Sequence, residues 1–265
     1  MTKLVWVFAF AAVLLAVSPA HAADAGRFEQ LLKAEWREVF HDPGTGDWKK
    51  RWLLDGRKAR VTNGDFGMEF HAGPVEGENA SHAVLWTRDS FEGDIKVEYT
   101  YTRLDKAVRH VILLYLLATG SGQGGYGKDI ASWSEQRAVP KMSLYYKHMN
   151  LYHISYAAFG PKNRDPLEDY VRARRYMSEP GRLRGTELSP GYSRTGLFQT
   201  GVPHKMTVIK AGDDLFMRVE VQDHGKLFHW KTSSHPPLNE GRIGLRHMWT
   251  RAARYRDFRV SVLTR

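Results

Sequence analysis

The sequence contains no cysteine, which excludes a disulfide scaffold, a cysteine–zinc centre and a thiol nucleophile. It has no G-x-S-x-G elbow, so serine-hydrolase chemistry has no motif to rest on. Twelve histidines are present, yet none forms the i, i+4 helical pair of a zinc metalloprotease. His224, His229 and His235 fall irregularly along a hairpin and read as surface residues. Helical periodicity is almost missing: only residues 26–35 carry it, with Phe28, Leu31 and Leu32 on one face. No internal repeat of propeller or solenoid length is visible.

What is present begins with a leader. Lys3 gives a short basic start, Leu4 to Val17 is apolar, and small residues in an A-x-A arrangement follow at Ala20 and Ala22. That pattern predicts a secretory signal peptide over residues 1–22, too short and wrongly flanked for a stable membrane anchor. The expected mature chain is residues 23–265, periplasmic or secreted. Loss of Lys3 lowers the formal charge from +10 to +9. A basic exported protein meets anionic glycans and lipid head groups rather than nucleic acid. A hydrophobic fraction of 42% is ample for a packed core, so wholesale disorder is excluded.

Strand patterns dominate the remainder. Ile95, Val97, Tyr99 and Tyr101 alternate with Lys96, Glu98, Thr100 and Thr102, the period of a half-buried strand. A meander follows at Met206–Ile209, Leu215–Val221 and Leu227–Trp230, joined by Gly/Asp turns. Ile243–Met248 and Tyr255–Val262 read as the last two strands. Further candidates are Arg37–His41, Phe66–His71, His82–Thr87, His110–Ala118 and Leu151–Ala158. The apolar run Val111–Ala118 reads as a strand buried on both faces. Many short strands without intervening helices predict an all-β sandwich over residues 23–265. Residues 160–204 hold five prolines and many arginines, and read as an irregular insertion lying over one face.

The remaining motifs are weak or ambiguous. Gly120-Ser-Gly122-Gln-Gly-Gly125 matches a dinucleotide fingerprint in letters only, because no helix opens after it. Asp42 and Asp47 bracket a turn that would place two carboxylates near a structural calcium; no other cofactor is implied. Residues 145–156 pack four tyrosines, two histidines and an asparagine together. On a strand, His153 and Ser155 share one face while Tyr152, Ile154 and Tyr156 share the other. Arg172, Arg174, Arg175, Arg182, Arg184 and Arg194 face only two glutamates in their stretch, and arginine suits bidentate contact with carboxylate or sulfate.

Three blocks together resemble the YesU-like family of concanavalin-A-like domains. They are Ser81–Trp86 leading to Phe91–Ile95, then Asn150–Tyr156, then Gly241–Met248 followed by Tyr255–Phe258. The resemblance runs from about Trp36 to the C-terminus. It implies a two-sheet jelly roll facing a glycan, in systems that degrade pectin and other uronate-containing material. The matching positions are His82, Trp86, Asn150, His153, Ser155, Tyr156, Arg246, Tyr255 and Asp257. Two departures stand out: the segment before Asn150 lacks the family's Tyr-His pair and acidic residue, and the insertion near residues 160–190 is longer.

The reading that joins these features is a polysaccharide lyase that cleaves an anionic, uronate-containing glycan by β-elimination. Such a reaction needs the carboxylate neutralised, a base for the C5 proton and an acid for the leaving oxygen. Arg246 lies out of phase with Ile243 and Leu245 and is the candidate for the carboxylate; His153 is the candidate base and Tyr146 the candidate acid. His82, Trp86, Asn150, Ser155, Tyr156, Arg194 and His247 are candidate substrate contacts, with Trp86 stacking on a sugar ring. A non-catalytic carbohydrate-binding protein uses the same surface without turnover. Glycoside hydrolysis ranks last, because no E-x-D-x-x-E-type strand supplies a carboxylate pair.

Overall fold

Strand formation follows the alternation of apolar and polar residues almost everywhere in this computed structural model, which describes residues 19–178, 183–222 and 224–264. The chain divides into two units, residues 1–33 and Ala34–Arg265. In the first, helix α1 covers Pro19–Leu32, so it begins earlier than expected and stops before residue 35. The expected leader falls mostly on residues 1–18, outside the described residues. No helix among the described residues is long and apolar enough to cross a membrane.

The second unit is built from sixteen strands among the described residues. In chain order they are β1 (Trp36–Asp42), β2 (Trp52–Asp55), β3 (Arg60–Gly64), β4 (Gly67–His71), β5 (Ala83–Thr87), β6 (Phe91–Glu92), β7 (Ile95–Arg103) and β8 (His110–Gly120). Then come β9 (Met149–Phe159), β10 (Tyr170–Met177), β11 (Glu187–Ser193), β12 (Pro203–Ala211), β13 (Asp214–Val221), β14 (His224–Lys231), β15 (Glu240–His247) and β16 (Ala252–Leu263). A short helix, α2 (Met142–His148), precedes β9, and a 3-10 segment spans Ile130–Arg137. The first sheet runs β14-β13-β12-β7-β16-β4-β3, with β1 also on β16. The second runs β11-β10-β9-β8-β15-β5-β2, with β6 also on β15. Neighbours pair antiparallel throughout, so the expected all-β sandwich is what forms.

The core between the sheets takes one phase of each strand. Val97, Tyr99 and Tyr101 of β7 meet Leu114, Ile154, Tyr156 and Leu245 from the second sheet. Each large side chain removed from water here contributes roughly 1.5–3 kcal/mol. The second sheet is buried on its outer face as well. Val84, Trp86, Leu113, Tyr115, Leu151 and Tyr176 form a second cluster with Ile130 and Trp133 of the 3-10 segment and Tyr145 of α2. That double burial is why β8 reads as an unbroken apolar run.

The insertion expected at residues 160–204 is corrected by β10 and β11. In β10, Val171 and Ala173 enter the inter-sheet core while Arg172 and Arg174 alternate to the outer face. The arginines are the polar phase of a strand and not a loop composition. The turn from Asp42 to Asp47 likewise uses its own carboxylates. Asp42 accepts from Trp52 Nε1 at 2.5 Å and from the Gly44 N–H, and Asp47 caps the following turn by accepting from the Lys49 N–H. Among the described residues no group of three or more histidines or carboxylates is placed to hold a metal, and both carboxylates of this turn are engaged by the chain itself.

Candidate functional site

Two cross-strand rows on the outer face of the second sheet hold the chemistry. The first passes through Arg174, His153, Tyr115, Gly244, Trp86 and Leu53; the second through Arg172, Ser155, Leu113, Arg246, Val84 and Asp55. Directly opposed residues point to the same side of a sheet. The phase read from the sequence therefore places His153, Ser155 and Arg246 together.

Gly244 makes this surface possible. A Cβ there would lie 2.5 Å from the Trp86 ring. Its absence lets Trp86 lie across the row and stack on Tyr115, with centroids 5.5 Å apart and planes 16° apart. Trp86 is then tied down by its indole N–H, which donates to Asp55 Oδ2 at 2.7 Å. Arg137 Nε at 2.6 Å and the Tyr145 hydroxyl at 3.0 Å donate to the same oxygen. Burial lifts the Asp55 pKa, and the Arg137 charge and these hydrogen bonds offset part of that rise. Asp55 and Arg137 thus form a self-contained buried pair.

Arg246 has no such match. It is 1% exposed, and its guanidinium lies over the Tyr145 ring at 4.5 Å. Nη1 and Nη2 have no partner of good hydrogen-bonding geometry, and the nearest polar neighbour, the Tyr115 hydroxyl, offers them at most a weak acceptor. Burial opposes the Arg246 charge, but the surrounding Tyr115, Tyr145 and Tyr176 hydroxyls hold its pKa above the ordinary arginine value. Beside it, His82 packs against Trp249 at 4.2 Å, and His82 Nδ1 and Trp249 Nε1 are also without partners. Burial, then the Arg246 and His110 charges, push the His82 pKa down to about 3. The result is a buried group of polar atoms around one cation that faces tyrosine hydroxyls but no carboxylate.

His153 is different because both ring nitrogens are engaged. Nε2 lies 2.6 Å from Ser155 Oγ and Nδ1 lies 3.0 Å from the Tyr176 hydroxyl. Burial, then the charges of Arg174 and Arg246, hold its pKa well below the usual histidine range. A neutral imidazole has one N–H and one lone pair, so the two contacts use both.

Several expected contacts are corrected. Trp86 is a fully buried packing residue and offers no stacking platform. Tyr156 belongs to the phase of Ile154 and lies in the inter-sheet core, 3.5 Å from the Tyr255 hydroxyl. His247 shares that side, bonded to Tyr255 at 2.8 Å and stacked on Phe70. Asn150 falls with Tyr152 by alternation, and its Nδ2 donates to the Gly120 carbonyl. Arg194 is 70% exposed and paired with Glu168. Asp257 is half-buried at a bulge, 3.6 Å from His41. Tyr146 is on α2 rather than at the edge of a strand, and packs against the outer cluster. Of the loop arginines, Arg172 and Arg174 share the His153 face, Arg175 turns to Tyr152 on the other side, Arg184 is exposed and Arg182 lies outside the described residues. His229, expected at the surface, is mostly buried against Asp214 and Phe216.

Tyr115, Tyr145, Tyr176, Asp55 and Arg137 were not foreseen. Tyr115 shares the odd phase of Leu113 in the β8 run, a signal present in the sequence. The pairing of Asp55 with Arg137 joins distant segments and has no local signal.

The architecture is an all-β sandwich of two antiparallel sheets, a fold shared with galectin- and lectin-like structures. The chain belongs to the family described as DUF1961, a domain of unknown function, whose profile matches residues 45–260; this agrees with the YesU-like resemblance. A Bacillus subtilis protein of unknown function with a galectin-like fold is similar at 21% identity, with TM-score 0.65 over 87% of this chain and 100% of that one. The exoplasmic/lumenal domain of VIP36, in its Ca2+/Man3GlcNAc-bound form, gives TM-score 0.54 at 10% identity over 87% and 92%. Lectin I-B4 from Griffonia simplicifolia gives 0.52 at 10% identity over 84% and 99%. Comparison with curated proteins yields no match.

Proposed function

We propose that the protein is a carbohydrate-binding protein that receives a carboxylate-bearing sugar at Arg246. The observation that carries this is the buried guanidinium that faces no carboxylate and whose terminal nitrogens have no well-formed hydrogen bond. An uncompensated buried charge costs several kcal/mol, of which the Tyr145 face returns about 2 kcal/mol. A ligand carboxylate would supply the missing acceptors in bidentate geometry. The lectin-like fold of VIP36 and lectin I-B4 supports a sugar as the carrier of that group. Because α2 and the 3-10 segment lie over this face, the ligand enters only as that cover moves. The expected leader would place this binding outside the cytoplasm.

β-Elimination is the second reading, favoured by a neutral His153 in the row next to Arg246. It demands that His153 give up a hydrogen bond to Ser155 or Tyr176 before it can take a proton, so binding fits the geometry better. Calorimetric titration with uronate-containing and neutral oligosaccharides tests both, with ultraviolet absorbance following any new C4–C5 double bond. Binding of the uronate ligands alone, lost in Arg246→Met, is the expected result. Equal binding by wild type and Arg246→Met would overturn the reading; a growing absorbance would replace it with the lyase.

A further inference from the structure

We propose that the site continues to a second anion subsite at Arg172, so that the ligand is a chain of several carboxylate-bearing sugars and not a single sugar; this rests on the Arg246 reading. Arg172 lies in the same cross-strand row as Arg246, three strands away through Ser155 and Leu113. At ~4.8 Å per strand the two backbone positions are about 14 Å apart, a span suited to a chain of linked sugars.

Arg172 is prepared for an anion in three ways. Its guanidinium is braced over the Tyr170 ring at 4.2 Å. Its stem runs past Gly191, where even a Cβ would make only ordinary van der Waals contact with it, so the side chain is not crowded there. Among the described residues Arg172 also has no ion pair, unlike Arg174, which is held by Glu187 at 2.6 Å. The side chain lines a cavity of about 640 Å³ together with Lys162, Asn163, Tyr170 and Ser193. The acidic residue on that wall, Glu168, is already neutralised by Arg194. The cavity therefore presents net positive charge to solvent. Arg246 sits beneath the cover while Arg172 stands outside it, so an entering polyanion meets Arg172 first. Two linked contacts then bind more tightly than either alone, provided the ligand spans both.

The test is calorimetry with a ladder of uronate oligomers, from the monomer upward, on wild type and Arg172→Ala, with a neutral glucan ladder as control. Arg172 is exposed, so matched melting temperatures confirm an intact fold. Affinity is expected to rise with length in wild type. Arg172→Ala should lose about twofold to fivefold on the longest oligomers, the range of an exposed ion pair, and nothing on the monomer. Identical length dependence in both proteins, with Arg246→Met still abolishing binding, would overturn the second subsite and leave the Arg246 reading standing. The same loss on neutral oligomers would also overturn it. If no uronate oligomer binds wild type at any length, the Arg246 reading fails and this one with it.

Discussion

Acidification from pH 7 to pH 5 should destabilise the fold through two buried histidines. His82 and His247 have pKa values pushed down to about 3 by burial, from an ordinary 6.5. Between those values the unfolded chain binds protons that the native state excludes, so stability is complete above pH 6.5 and is lost as pH falls towards 3. At pH 5 each histidine gives up about 2 kcal/mol relative to pH 7, or about 4 kcal/mol together. His153, held low by burial and then by Arg174 and Arg246, acts in the same direction. Asp55 opposes them, since its raised pKa favours the protonated native state. For a chain of this size 1 kcal/mol moves Tm by about 2 °C, so the pair is worth about 8 °C. Urea unfolding followed by tryptophan fluorescence across pH 5–7 measures the slope, and His82→Gln and His247→Gln should each remove about 2 kcal/mol of the loss between pH 7 and pH 5. Histidine C2 proton resonances titrating near 6.5 for His82 and His247 in the native protein would refute the reasoning.

Four further outcomes follow from the same face. Trp86→Ala should cost about 3–5 kcal/mol in denaturant unfolding, because the ring is core, and should leave sugar specificity unchanged. Gly244→Ala should lower stability by about 1–3 kcal/mol as its Cβ drives the Trp86 ring aside; an unchanged Tm would contradict the stacking across that row. Arg137→Met leaves the Asp55 charge uncompensated and should cost about 3–5 kcal/mol, with part of the loss recovered in Asp55→Asn/Arg137→Met. Arg246→Met removes one cause of the low His82 pKa, so NMR titration should show His82 rising from about 3 while the fold stays as stable as wild type or gains.

Period-two alternation made most of the sandwich legible. The strand at Ile95–Arg103 shows its burial pattern directly, and the phase of Arg246 against Leu245 put the guanidinium on the correct face. The same rule sets Tyr156 with Ile154 and His247 with Leu245, in the core, although the resemblance implies a substrate role for Tyr156. β10 was missed because its polar phase is arginine, which dilutes the strand signal of Val171 and Ala173. α2 was missed because it is seven residues long and Lys141 provides no side-chain cap. Without α2 and the 3-10 segment, the sequence could not reveal that the outer face is covered. Trp86 therefore read as an exposed platform instead of a wall.

The two arginines on this face make the strongest argument for a ligand. Arg137 and Arg246 are both buried against aromatic rings, at 4.2 Å from Trp133 and 4.5 Å from Tyr145. One is matched to a carboxylate that also accepts from Trp86 and Tyr145; the other faces neutral tyrosine hydroxyls and no carboxylate. A fold that needed Arg246 merely to fill space would be at least as stable with an apolar side chain there, so the guanidinium needs a role that its packing does not supply. His153, by contrast, is fully bonded within the chain and has nothing left to offer a substrate in this arrangement. An open cation beside a satisfied base describes a surface prepared to hold an anion more than one prepared to remove a proton. Recognition is therefore the function this geometry supports.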